Sequence, residues 1–200
     1  MDIIRNVVEK YLELKKSEYR IILSAGRNKP LEIINLNFMD EDLYHILGFQ
    51  HIGDLEIPKN KKKVLAAIVS GNLTDEYLSQ SEYYDNDSLG YSIKNRIIHA
   101  EFLEEYLDSD DFSVSIYKLQ HVNITMIDAD YLIECRRLGT DKDYYIFLRK
   151  RKGTPYYGII SCFPKNRITY WGGKRYLMLK EKTTGDSRKE LFRHPNYEQP

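Results

Sequence analysis

Two hundred residues fit one large domain or two small ones, and an apolar content of 42% is enough to build a core. No apolar run approaches the roughly 18–20 residues that cross a bilayer, and the start Met1-Asp2-Ile3-Ile4-Arg5 lacks the features of a secretory signal, so a cytoplasmic protein is expected. The formal charge is zero but unevenly placed: residues 1–135 carry 14 basic and 24 acidic side chains, whereas residues 136–189 carry 15 basic and 4 acidic ones.

In chain order, Ile3, Ile4, Val7, Val8, Tyr11, Leu12 and Leu14 recur at helical spacing, which predicts a first helix over 2–16. Residues 19–23 and 31–36 read as strands, and the turn formers between them suggest a hairpin with a long loop. The segment 40–49 opens on three acidic residues and reaches Gly48, the pattern of a short helix with a left-handed stop. A second helix over 59–70 starts with Lys59, Lys61, Lys62 and Lys63, the unfavourable end for cations; such a placement serves binding or is simply solvated. Residues 88–107, with Leu89, Ile93, Ile97, Ile98, Phe102, Leu103, Tyr106 and Leu107, give the clearest amphipathic helix in the chain.

After Asp111 the apolar period shortens to about two residues. Strands are predicted over 112–117, 122–127, 131–135, 144–148, 156–163 and 176–179, split by Gly, Pro, Asn and Asp turns, which implies an antiparallel sheet. The expected fold class is therefore α+β, a helical N-terminal part packed on a C-terminal antiparallel β-sheet. Residues 1–186 would form a single domain and 187–200 a loose polar tail. The long helix is expected to bury Ile93, Ile97 and Phe102 against that sheet. Cys135 and Cys162 lack metal-ligand spacing and read as reduced core residues.

The basic C-terminal segment is also rich in aromatics, among them Tyr157, Tyr170 and Trp171. Cations with interleaved aromatics suit a nucleic acid, since phosphates gather on one and bases stack on the other. The alternative is a dipolar fold in which the basic segment pairs with the acidic one. No phosphate-binding loop, dinucleotide fingerprint or hydrolase elbow is present, and the acidic residues form no spaced metal set. This tilts the reading towards metal-independent chemistry with no cofactor. A metal-independent ribonuclease needs a group that takes the 2′-hydroxyl proton, cations around the phosphate, and an acid for the 5′-oxygen.

Of the five histidines, His45 stands out, one turn before Gly48 on a helix that begins in acids; a structural histidine bonded to a backbone carbonyl is the competing explanation. His51 reads as a loop residue, His99 as helical, His121 as part of a turn and His194 as part of the tail. Ser161 sits inside an apolar strand, where its hydroxyl either bonds the backbone or faces a cleft. The segment 169–176 joins a Gly-Gly turn to Lys174 and Arg175, either a solvated hairpin tip or a phosphate and base clamp, and Lys180, Lys182 and Thr183 extend a basic patch beyond it.

The block Asn37-Phe38-x-x-x-x-Leu43-Tyr44-His45-Ile46-Leu47-Gly48-Phe49 resembles the F-x-x-x-x-F-x-H-L-x-G-L block of the phage and mobile-element barnase–EndoU–colicin E5/D–RelE-like nuclease domains, in particular the PBECR4 group. Ile46-Leu47 stands loosely where that block has its Leu step. The similarity extends over roughly residues 18–184: 62–68 resembles the following helix, 88–107 the long helix carrying an Arg, here Arg96, and 144–148, 156–163 and 175–180 the closing strands. The resemblance implies a cytosolic, metal-independent RNase or toxin-like domain carried on mobile DNA. With it, His45 is expected as general base or acid, Arg96, Lys174 and Arg175 as phosphate ligands and Ser161 as a positioning group. Tyr157, Tyr170, Trp171, Lys180, Lys182 and Thr183 are expected to contact RNA. A protein inhibitor or a host target is the further partner envisaged. The competing reading is a non-catalytic module of a phage or mobile element that binds nucleic acid or a host protein.

Overall fold

The computed structural model describes residues 2–27, 29–86, 92–117, 127–140, 143–165, 169–170 and 172–198. Helix α1 (Ile3–Leu14) is capped by Asp2, whose carboxylate accepts the Ile4 N–H at 3.3 Å, and it buries Ile4, Val7, Val8, Tyr11 and Leu14. Strands β1 (Ser17–Ser24) and β2 (Leu31–Leu36) form the expected antiparallel hairpin. Helices α2 (Asp40–Ile46) and α3 (Lys62–Val69) and the single turn α4 (Asp75–Leu78) follow.

The amphipathic segment expected as one long helix is two: α5 (Ile93–Ala100) and α6 (Leu103–Asp108). Phe102 between them leaves helical geometry at φ −106°, ψ 16°. Ile93 and Ile97 are buried as expected, but Phe102 is only half-buried, and the Arg137 guanidinium lies 3.7 Å above its ring. The expected helical start at 88–91 lies outside the described residues, as does the expected strand over 122–127 except for Ile127. The remaining strands are β3 (Phe112–Tyr117), β4 (Tyr131–Arg136), β5 (Asp143–Lys150), β6 (Tyr156–Pro164), β7 (Gly172–Thr184) and β8 (Ser187–Arg193).

The expected architecture, helices in front and a C-terminal sheet behind, is overturned by the strand pairing. The order β1-β2-β6-β5-β4-β3-β7 closes because β7 also pairs with β1, giving a seven-stranded barrel with β8 as an extra strand. The N-terminal hairpin is thus part of the ring rather than of a helical layer. Alone, that hairpin would leave the outer N–H and C=O groups of β1 unpaired, and an open edge invites association. β7 is long enough to resolve this, since Gly172–Arg175 pair with β3, Tyr176–Thr184 with β1 and Leu179–Thr184 with β8. The ring closes on its other side where β2 meets β6 in parallel over only two residue pairs, Asn35↔Tyr156 and Leu36↔Tyr157. Part of the segment read as a loose tail is therefore β8, whose pairing satisfies the backbone of residues 187–193.

Alternation along the strands places apolar clusters on both faces of the sheet. Ile21, Leu23, Ile34, Leu36, Val114, Ile133, Tyr144, Ile146 and Ile159 pack with the buried faces of α1, α2, α3 and α5 in one cluster. The opposite face of β3 to β6 holds an aromatic cluster of Tyr117, Tyr145, Phe147, Phe163 and Tyr170 with Leu132. Cys135 and Cys162 are buried and unlinked, as expected. Among the described residues, no helix is long and apolar enough to cross a membrane.

Part of the basic segment is neutralised within the fold. Arg136 pairs with Asp111 and Asp143, Arg137 with Glu105, Lys165 with Glu134 and Asp143, Arg175 with Glu32, Lys182 with Glu104 and Asp108, and Arg188 with Glu181. Lys180 is fully buried; its ammonium donates to the carbonyls of Leu107, at 3.0 Å, and Ser109, closing the end of α6, and it lies 4.2 Å from the centre of the Phe112 ring. Burial pushes the Lys180 ammonium down to about 8, against the attraction of Asp108 and Asp110. An unfolded lysine keeps its proton to higher pH, so between pH 8 and about 10.4 unfolding takes up a proton and stability rises with pH. Over that window the wild type should gain roughly 3 kcal/mol of stability relative to Lys180→Met, read from urea midpoints at each pH. A difference that stays flat would show that Lys180 titrates normally.

Candidate functional site

Helix α2 begins with Asp40, Glu41 and Asp42, which complement its dipole, and Asp42 reaches back to accept the Met39 N–H at 2.9 Å. His45 follows one turn later, half-buried, with its ring edge-on to Tyr44. The helix then stops at Gly48, which has φ 77°, the left-handed stop expected from the sequence. A Cβ at Gly48 would lie 2.4 Å from Cδ of Arg96, so this glycine is demanded twice: by its backbone and by the arginine running past it.

Helix α3 packs on α2 and brings its lysines to the same place. Lys61 Nζ stands 2.8 Å from His45 Nε2 and 5.5 Å from the centre of the Tyr44 ring. The facing wall is the end of β5 and the turn after it, where Arg149, Lys150, Arg151 and Lys152 follow one another. Between these walls lies a cleft of about 930 Å³, lined by His45, Lys59, Lys61, Lys62, Arg149, Lys150, Arg151 and Lys152, with Glu41 and Asp42 as the two carboxylates. Its apolar surface comes from Met39, Ile159 and Ile160.

Arg151 fixes one wall to the other. Its guanidinium forms a fork on the Asp42 carboxylate, with Nη1 at 3.0 Å from Oδ1 and Nη2 on Oδ2, and it also donates to Asn37 Oδ1 at 2.9 Å and to the Asn37 carbonyl at 3.1 Å. Gly158 makes room for it, since a Cβ there would sit 2.5 Å from the guanidinium carbon. Burial raises the Asp42 carboxyl, while the Arg151 bonds and charge pull it back down. Among the described residues, the cleft cations Lys59, Lys150 and Lys152 have no ion-pair partner.

The electrostatics of His45 follow from this setting. Burial, then the Lys61 ammonium, then Arg149, His51 and Arg96 push its imidazolium down to about 4, so the ring is neutral at pH 7. Burial and Arg96 push His51 down to about 4 as well. A neutral imidazole amid cations can take a proton and sits where a phosphate would be held.

The sequence model of the family described as phage-Barnase-EndoU-ColicinE5/D-RelE like nuclease4 (PBECR4) matches residues 3–197. The chain belongs to that family. No match was found among curated proteins or among solved structures. As a PBECR4 domain it is a barnase/EndoU/colicin/RelE-like nuclease domain, and a nucleic acid is the substrate class this implies.

Within the PBECR4 domain the other residues picked out from sequence are scattered. Arg96 and Ser161 do meet, beneath the cleft: Arg96 is fully buried, its Nη1 donates to the Cys162 carbonyl at 3.0 Å and to Ser161 Oγ at 3.4 Å, and its guanidinium lies 4.8 Å from the centre of the Phe163 ring. They tie α5 to β6 below His45 and do not line the cleft. Lys174 and Arg175 lie on β7 opposite Ser115 and Val114, and Arg175 donates to Glu32 at 2.8 Å; neither lines the cleft.

The residues expected to contact RNA are also placed elsewhere. Tyr170 is buried in the aromatic cluster, Tyr157 packs edge-on against Tyr131, and Lys180 and Lys182 hold α6 through the bonds described above. Thr183 is exposed on β7 opposite Glu18, and Trp171 and His121 lie outside the described residues. What sequence reasoning missed is the run Arg149-Lys150-Arg151-Lys152. Four consecutive cations between two predicted strands repel one another, and that cost was the available signal that they face something anionic.

Proposed function

We propose that this PBECR4 domain is an endoribonuclease that cuts RNA in the His45 cleft, through attack by the 2′-hydroxyl and without a metal. The observation that carries this reading is a half-buried, neutral His45 in a cleft lined by seven cations and two carboxylates. In the reaction His45 Nε2 takes the proton of the 2′-hydroxyl, and the 2′-oxygen forms a bond to phosphorus. The bond from phosphorus to the 5′-oxygen breaks, and that oxygen takes a proton from water as it leaves. The products are a 2′,3′-cyclic phosphate and a free 5′-hydroxyl. Cations from the two walls would neutralise the phosphorane, whose charge exceeds that of the ground state. An origin in a phage or mobile element, and a toxin-like role, accord with the family's description.

The test is incubation with total RNA in EDTA, followed by mapping of the ends. Cleavage that persists and leaves cyclic or 3′-phosphates, with an all-2′-deoxy substrate left intact, is the expected result; a requirement for Mg²⁺, or cleavage of the deoxy strand, refutes the mechanism. The second reading, a module that binds nucleic acid or a host protein without cutting, draws support from one contact. The Lys61 ammonium occupies the lone pair that a base would use.

A further inference from the structure

We propose that Lys61 is a latch on His45: in the free protein its ammonium covers the imidazole lone pair, and a nucleic-acid phosphate entering the cleft draws it away and so uncovers the base. The inference deepens the ribonuclease reading and rests on it for its catalytic meaning.

An ammonium only donates hydrogen bonds, so across the 2.8 Å contact His45 Nε2 must accept and Nδ1 must carry the ring proton. While that bond stands, Nε2 has no lone pair to offer a 2′-hydroxyl. A phosphate oxyanion competes well for the same ammonium, because a bond between two charged groups is roughly twice as strong as one to a neutral acceptor. Lys61 is also free to respond. Its neighbour Lys62 is paired with Glu41 at 3.7 Å, Arg149 with Asp128 at 3.2 Å and Arg151 with Asp42. Lys61 has no carboxylate partner among the described residues. It is exposed, stands at the start of α3 without a side-chain cap and reaches the cleft on a four-carbon stem. Moving it from nitrogen to phosphate does two things: it frees the base, and it adds positive charge where the phosphorane forms. The Tyr44 ring beneath the ammonium keeps a second favourable contact available during that shift.

The experiment follows the His45 ring nitrogens by NMR in the full chain, with a short all-2′-deoxy oligonucleotide as probe. In the free wild type the Nδ1–H tautomer should dominate. Lys61→Met should mix the tautomers and raise the proton affinity of His45 by tenfold or more, and Lys61→Arg should retain the wild-type pattern. The oligonucleotide should shift the wild-type ring towards its Lys61→Met behaviour and add much less to Lys61→Met itself. A His45 ring indifferent to Lys61→Met, or an oligonucleotide shift equally large in the variant, overturns the latch. The readout is independent of cutting. A chain that shows the shift but leaves RNA intact refutes the ribonuclease reading and keeps the phosphate-driven release; one that cuts RNA through His45 without the shift refutes the latch alone.

Discussion

His45→Ala should slow RNA cleavage by about 10²–10⁴-fold while leaving RNA binding within a few fold of wild type. The expectation follows from what the side chain can and cannot contribute. A neutral imidazole adds little to phosphate affinity, which resides in the lysines and arginines of the two walls, so the ground-state complex survives the substitution. Proton transfer does not, because the neighbouring His51 lies beyond the helix stop in a 3-10 turn over Phe49–His51 and does not line the cleft. The pH profile gives a second check. Protonation of His45 removes the base, so kcat/KM of the free enzyme should fall on the acid side with a midpoint near the depressed value of about 4 and stay level from there towards neutrality. A base with the ordinary histidine value of about 6.5 would place that fall about 2.5 units higher, close to neutrality. A His45→Ala protein that cuts at the wild-type rate, or an acid limb near 6.5, would sink this assignment.

Arg151→Ala should cost about 3–5 kcal/mol of folding stability, measured by urea denaturation, because it strands a buried carboxylate. The Asp42 side chain is 6% exposed and that of Arg151 14%, so neither charge has water to fall back on. Removing the guanidinium also leaves Asn37 Oδ1 and the Asn37 carbonyl without their donor. The control is the double variant Arg151→Met with Asp42→Asn, which removes both charges and keeps volume. Its loss should be well below the sum of the single losses, the signature of a coupled pair. Purely additive losses would show that the fork contributes little. The substitution should also weaken RNA binding beyond the loss of one cation, since the bond between Arg151 and Asp42 sets the spacing of the cleft walls.

Much of the local structure was legible from residues. The periodicity of 2–16 gave α1, the turn formers of 24–30 gave the first hairpin, and acids followed by Gly48 gave α2 with its left-handed stop. Lys59, Lys61 and Lys62, at the unfavourable end of α3, line the same basic cleft as His45. The ring was not legible, because alternation says which face of β1 is buried and nothing about which strand takes its free edge. The same limit misled the reading of charge. A surplus of cations in 136–189 looks like a positive face until the fold is known, and the fold sets Arg136, Arg137, Lys165, Arg175 and Lys182 against Glu32, Glu104, Glu105, Asp108, Asp111, Glu134 and Asp143. Ser161 and Arg96, expected as a positioning group and a phosphate ligand, bond each other and do not line the cleft. A hydroxyl in an apolar strand has the same sequence signature whether or not it faces a cleft.

Closure of the barrel also governs when the molecule can be completed during its own synthesis. The pairing of β1 with β7 joins residues as far apart as Ser17 and Thr184, 167 positions along the chain. Until β7 has left the ribosome, β1 has an open edge and the core between them has no far wall. Contacts of such long range make folding slow, because loop closure must precede any gain from burial. The wall of cations at the end of β5 and the turn after it is made before the strand that locks the ring. A nascent chain therefore exposes its basic arm while still incomplete, and it gains a rigid cleft only once the last strands dock.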